Sequence, residues 1–117
     1  MTEYDSEVNS VMNDGTLTVF LNGDIDHHNA RAVRGKIDTK MFIMRPAELV
    51  IDLSQVSFMD SSGLGLILGR YSRAKELGID FRVVNPTPQI RRILDLAGTD
   101  RIIVIDYSEI KRSEKVK

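Results

Sequence analysis

Apolar positions along the chain alternate between a period of two and a period near 3.6, which predicts strands interleaved with helices. Thr16-Leu-Thr-Val-Phe-Leu-Asn22 is rich in strand-forming residues, and Asp14-Gly15 before it is a strong turn signal. Residues 8–12 and 16–22 are therefore expected to form a hairpin. Gly23 is expected to end its second strand. Asp26 then stands where a helix N-cap belongs, and Ala30, Val33, Ile37 and Met41 follow at helical spacing. Arg45-Pro46 stops that helix, because a residue before proline is pushed out of the α region. Leu49-Val-Ile-Asp-Leu53 is a nearly unbroken apolar run, as in a central strand covered on both faces, and residues 54–58 extend or leave it. Asp60-Ser-Ser62 is a dense group of capping residues. Leu64, Ile67, Leu68 and Tyr71 after it share one helix face, and Gly78 suits the position just past that helix. Residues 81–84 predict a strand. Thr87-Pro88 opens another helix, carried by Ile90, Ile93, Leu94 and Ala97 and closed by Gly98. Residues 102–105 predict the last strand. A short frayed helix is expected from Tyr107, with a mobile charged tail over residues 111–117.

The order implies an α/β fold: a central sheet, mixed because of the opening hairpin and otherwise mostly parallel, flanked by about four helices. At 117 residues the chain is expected to be one domain, with its core over residues 8–107 and a polar tail over residues 108–117. Sixteen Lys and Arg against 17 Asp and Glu give a net charge of -1, which supplies no drive toward nucleic acid or an anionic membrane. The absence of cysteine excludes disulfides, thiolate catalysis and zinc-thiolate sites. The N-terminus lacks the basic and apolar regions of a signal peptide, and the longest apolar stretch, residues 64–68, is far too short to span a bilayer. The expectation is a soluble, cytoplasmic protein with no cofactor or metal.

The chemistry concentrates in Val56-Ser-Phe-Met-Asp-Ser-Ser-Gly-Leu-Gly65, where a buried strand leaves the sheet and a helix begins. In open α/β sheets ligands and functional loops gather at that edge. Asp60, Ser61 and Ser62 offer a carboxylate and two hydroxyls, while Gly63 and Gly65 keep the backbone uncluttered. All three polar residues are ordinary caps, but one helix start needs only one, so capping and function both stand as readings. A phosphate on a serine here would add about 1.5 to 2 negative charges, facing free N–H groups and the positive end of the helix dipole. The fold would tolerate it, and a docking partner would feel it. Nucleotide motifs are incomplete: the third glycine of the dinucleotide fingerprint is missing, no Lys-Ser or Lys-Thr follows, and Gly-x-Ser-x-Gly is absent.

Gly23-Asp-Ile-Asp-His-His28 is the second candidate. Adjacent histidines on a first helical turn point apart, which disfavours a shared metal. Asp26 reads as an N-cap, with a partner-contacting surface as the alternative. Gly65 and Gly69 are spaced for close packing of their helix on the sheet. Arg70, Arg73, Lys75, Arg91 and Arg92 read as a solvated face.

These two stretches, with Leu64-Gly-Leu-Ile-Leu-Gly-Arg-Tyr71 continuing the second, closely resemble the bacterial anti-sigma factor antagonists, single-domain members of the STAS group. The nearest likeness is to the sporulation type of Gram-positive spore formers. The resemblance runs from about Thr16 to Tyr107. It implies a non-enzymatic protein that binds an anti-sigma factor, itself a serine kinase with a histidine-kinase-like ATPase fold, and releases the sigma factor; a monomer is the default expectation. The resemblance implies Ser61 as the phosphorylation site that switches binding off, with a PP2C-type phosphatase resetting it. It also implies Asp26, Asp60, Ser62 and Gly63 as neighbours of Ser61 on the partner-binding surface. A scaffold subunit of a stressosome-like assembly is the alternative within the same family.

Overall fold

The computed structural model of the chain describes residues 8–106. They run β1 (Val8–Asn13), β2 (Thr16–Ile25), α1 (Ala30–Met44), β3 (Glu48–Met59), α2 (Ser61–Glu76), β4 (Asp80–Val84), α3 (Pro88–Leu96), a 3-10 turn (Thr99–Arg101) and β5 (Val104–Asp106). The sheet order is β1-β2-β3-β4-β5, with β1 antiparallel to β2 and every other neighbouring pair parallel. This is the mixed α/β sheet that the alternation predicts. The helix count differs: three α-helices, not about four, stand among the described residues. The helix expected from Tyr107, the tail and residues 1–7 lie outside the described residues.

Local chemistry sets most boundaries. Asp14 (φ 52°) and Gly15 (φ 82°) are both left-handed, as a two-residue hairpin turn requires. Arg45 (φ 48°) caps α1 in the left-handed region, its N–H donating to the Met41 carbonyl at 3.0 Å, before Pro46 turns the chain away. Thr87 Oγ1 accepts from the Ile90 N–H at 3.3 Å, with Pro88 at the first helical position.

One core cluster joins the layers. Leu17, Val19 and Leu21 of β2, Leu49, Ile51 and Leu53 of β3 and Val83 of β4 meet Val33, Ile37 and Met41 of α1, Leu66 and Ile67 of α2, and Ile90 and Leu94 of α3. These strand positions alternate, so they share one face of the sheet. Val50, Asp52 and Val84, on the other face, are buried as well but lie outside that cluster. The unbroken apolar run of β3 thus reflects burial on both faces.

Two strand boundaries differ from the expected ones. β2 does not end at Gly23 but continues to Ile25, because β3 runs on beside it. The pairing steps from Phe20 opposite Asp52 to Asn22 opposite Gln55, and from Gly23 opposite Val56 to Asp24 opposite Phe58. At each step β3 carries one extra residue, a bulge. Leu53, Val56 and Met59 are consequently all buried at a spacing of three instead of two, which hides the strand from a period-two reading. β5 begins at Val104, not at Ile102: Ile102 and Ile103 donate their N–H groups to the Thr99 carbonyl and complete the turn.

The first bulge is held by a buried carboxylate. Asp52 Oδ1 accepts from the Ser54 N–H at 2.8 Å, and Oδ2 accepts from Asn85 Nδ2 at 3.2 Å. Asp52→Ala leaves both donors without that acceptor. It should lower unfolding free energy by about 1–3 kcal/mol in urea titration, and Asp52→Asn should recover part of the loss. An unchanged midpoint for Asp52→Ala would remove this account of the bulge.

Candidate functional site

β2 and β3 finish together, Ile25 opposite Met59, and the chain leaves each of them for a helix. The Asp60 N–H donates to the Ile25 carbonyl at 3.3 Å, and α2 begins at once with Ser61. Asp60 is the N-cap. Its Oδ1 accepts from the N–H groups of Ser62 at 2.8 Å and Gly63 at 3.3 Å, while its carbonyl accepts from Leu64 at 3.1 Å. Of the three capping candidates one caps, and the two hydroxyls are left over. Ser61, the first helical residue, is exposed; Ser62 is half-buried; Gly63 is buried.

Gly63 is glycine for a steric reason. A Cβ there would lie 2.5 Å from Met59 Cγ, 2.8 Å from the Ile25 carbonyl oxygen and 3.2 Å from Ile25 Cγ2. The first turn of α2 therefore rests directly on the ends of β2 and β3. Desolvation pushes the Asp60 carboxyl upward, but the N–H groups of Ser62, Gly63 and His27 and the nearby His27 imidazole outweigh it and hold the group below its ordinary value. His27 Nδ1 stands 3.8 Å from Asp60 Oδ2.

Asp26 lies in the loop between β2 and α1, and its place corrects the expected N-cap. The cap position of α1 is Asn29, whose side chain makes no capping bond. Asp26 instead closes a tight turn: Oδ1 accepts from the His28 N–H at 2.9 Å, and its carbonyl accepts from the N–H groups of Asn29 and Ala30. Asn29, which the sequence reading passed over, staples this loop. Its Oδ1 accepts from the Asp26 N–H at 3.0 Å and its Nδ2 donates to the Asp24 carbonyl at 2.7 Å. An Asx residue at the fourth position of a turn was the available signal. Ile25 and His27, the chain neighbours of Asp26, both touch Asp60, so this loop lies beside the Asp60–Gly63 turn.

The two histidine rings do not diverge as expected for a helical turn. They precede the helix and lie 4.0 Å apart at a 37° tilt, with His27 facing Asp60 and His28 facing Asp26. Among the described residues no group of three or more acidic or imidazole side chains is arranged to hold a metal ion.

Two expectations for α2 are overturned. Gly65 and Gly69 do not mediate close packing on the sheet, since nothing lies within 4 Å of a Cβ at either; both line an open cleft against α1. Arg70 is not on a solvated face. It is 7% exposed, with Nε 2.8 Å from Asp38 Oδ1 of α1.

Comparison with known proteins agrees with this layout. A family model described as STAS domain matches residues 7–115. An anti-sigma F factor antagonist of Paenibacillus polymyxa is 38% identical over 96 residues, covering 82% of each chain. An anti-sigma-B factor antagonist of Bacillus subtilis is 32% identical over 93 residues, covering 80% of this chain and 84% of its own. The solved structure of the anti-sigma factor antagonist SpoIIAA in its unphosphorylated form superposes with a TM-score of 0.73 at 29% identity, over 93% of this chain and 95% of that one. The phosphorylated form of the Bacillus protein gives 0.67 at 29% identity, over 94% and 99%.

Gly63→Ala should cost about 1–3 kcal/mol of stability, because backbone and core atoms occupy the added volume. Gly65→Ala, facing open space, should cost nothing and can gain up to about 1 kcal/mol of helix propensity. Equal effects of the two on thermal unfolding would refute the close-approach argument. Asp60→Ala should be less stable than the parent near neutral pH. Its deficit should shrink as pH falls, because the parent carboxylate, depressed in the folded state, gives its stabilisation above the ordinary carboxylate value and loses it on protonation. A deficit independent of pH would show that the charge of Asp60 is immaterial.

Proposed function

The chain belongs to the STAS domain family, and from that membership we propose that it is an anti-sigma factor antagonist switched by phosphorylation of Ser61. The unphosphorylated form binds an anti-sigma factor that is also a serine kinase, and the sigma factor is released. The kinase transfers the γ-phosphoryl group of ATP to the Ser61 hydroxyl, leaving ADP. The modified chain lets go, and a PP2C-type phosphatase hydrolyses the ester and restores the hydroxyl. In this reading the chain acts in the cytoplasm as a monomer and is the substrate of an enzyme, not an enzyme itself.

The observation that carries the proposal is the position of Ser61. It is exposed as the first residue of α2, and Asp60 relieves it of capping. Such a hydroxyl can enter a kinase active site without unfolding the helix. The added phosphate meets the positive end of the helix dipole, so folding tolerates it. A carboxylate already stands next to it at Asp60, so the phosphate concentrates negative charge at this turn. Asp60 precedes Ser61, the Asp26 loop reaches Asp60 through Ile25 and His27, Ser62 follows Ser61 in the turn, and Gly63 lets the turn seat on the sheet. Among the described residues no helix is long and apolar enough to cross a membrane.

Incubation with the cognate kinase and ATP should add one phosphate to the wild-type chain and to Ser62→Ala, read by intact mass, and none to Ser61→Ala. Equal uptake by Ser61→Ala would defeat the assignment. Ser61→Asp should weaken kinase binding by about tenfold or more, the effect expected of a charge placed in a desolvated interface.

A further inference from the structure

α1 and α2 pack side by side, yet a cleft of about 330 Å³ remains between them beside the Asp60–Gly63 turn. Its volume is held open by Gly65 and Gly69, which send no side chain into it. Its polar lining carries three guanidinium groups, Arg31 and Arg34 from α1 and Arg70 from α2, together with the His27 imidazole and the Ser62 hydroxyl. Among the described residues two carboxylates approach these groups, Asp60 Oδ2 at 3.8 Å from His27 Nδ1 and Asp38 Oδ1 at 2.8 Å from Arg70 Nε.

The positive charge is poorly compensated. Among the described residues neither Arg31 nor Arg34 forms an ion pair. Arg70 is buried, and its Nε contact with Asp38 lacks the alignment of a hydrogen bond; Nη1 is also buried without a hydrogen-bond partner among the described residues. Burial lowers the affinity of Arg70 for its proton, Asp38 opposes this, and the nearby Arg34 and Arg73 add to the lowering. The N-terminus of α1, whose first residue Ala30 also lines the cleft, has neither a side-chain cap nor an acidic residue in its first turn. Three guanidinium groups, a helix N-terminus without a side-chain cap and an open volume together suit an oxyanion.

We propose that this cleft binds a phosphate group, held by Arg31 and Arg34 of α1 and Arg70 of α2. Planar guanidinium donors match phosphate oxygens in pairs, and phosphate is the common biological oxyanion that needs this many of them. The volume is roughly ten times the ~30 Å³ share of one liquid water, so a phosphate fits with room for part of an attached organic group. The phosphate can belong to a free ligand or to a phosphorylated serine of the same turn, since Ser62 lines the cleft and Ser61 precedes it. The site itself does not rest on the role proposed for Ser61.

Inorganic phosphate titrated into the unmodified chain at constant ionic strength, followed through the amide NMR signals of Gly65 and Gly69, tests the proposal without a kinase. A saturating shift is expected, displaced by sulfate but not by chloride. The affinity should fall about tenfold or more in the Arg31→Gln/Arg34→Gln double variant, whose replaced side chains are exposed and leave the core intact. A shift that never saturates, or equal affinity in the double variant, overturns the site. A second titration uses chain already phosphorylated on the turn. Loss of binding there identifies the chain's own phosphoryl group as the occupant, and unchanged binding identifies a free phosphate ligand.

Discussion

The arrangement depends on one close approach: the first turn of α2 lies against the ends of β2 and β3, and Gly63 puts no side chain of its own between. At Gly63 the space for a Cβ is taken by the Ile25 carbonyl oxygen at 2.8 Å and Met59 Cγ at 2.5 Å. Because the helix backbone meets the Ile25 carbonyl and the Met59 side chain there, the helix cannot slide or rotate without breaking the contact. The Asp60 N–H, bonded to Ile25, extends the β2–β3 pairing by one step and joins strand to helix without a flexible loop.

That rigidity assigns separate tasks to adjacent residues. Asp60 satisfies the free N–H groups of Ser62 and Gly63. Gly63 supplies the fit. Ser61 is needed for neither and points its chemistry outward. In the proposed switch this separation is what makes the phosphate a surface event: a hydroxyl that also capped the helix could not be esterified without loosening it. The same logic explains why three capping residues stand where one suffices.

Much of this was legible in the sequence, and what was not has a common cause. Signals confined to a few consecutive residues were readable: the Asp14-Gly15 turn, the Thr87-Pro88 helix start, Gly78 and Gly98 past their helices, and the helical spacing of Val33, Ile37 and Met41. The mixed sheet followed from their order. Two of the misreadings involve partners distant in the chain, and one a side chain that bonds back within its own loop. The bulges of β3 exist relative to β2, and nothing in residues 54–58 alone announces them. Arg70 resembles any surface arginine until Asp38 of another helix is brought to 2.8 Å. Asp26 lost the cap position because Asn29 binds back to Asp24 and Asp26, delaying the helix by a turn. The site turn was conspicuous because its capping residues were in excess, but which of them capped was a question of geometry.

The three glycines of α2 show how far composition underdetermines role. Gly63 excludes a side chain because atoms already fill the space; Gly65 and Gly69 exclude one although the space is empty. An empty face costs helix propensity, about 1 kcal/mol per glycine relative to alanine, and gains no packing in return. A helix carrying two such residues on the face that lines a cationic cleft forgoes stability for room. His27 connects that room to the turn, since it lines the cleft and faces Asp60 at 3.8 Å. A charge placed on either side of this imidazole acts on the same group. The cleft and the Ser61 turn are therefore adjoining parts of one electrostatic surface: an anion in the cleft would neutralise cations that otherwise offset a phosphate on the turn.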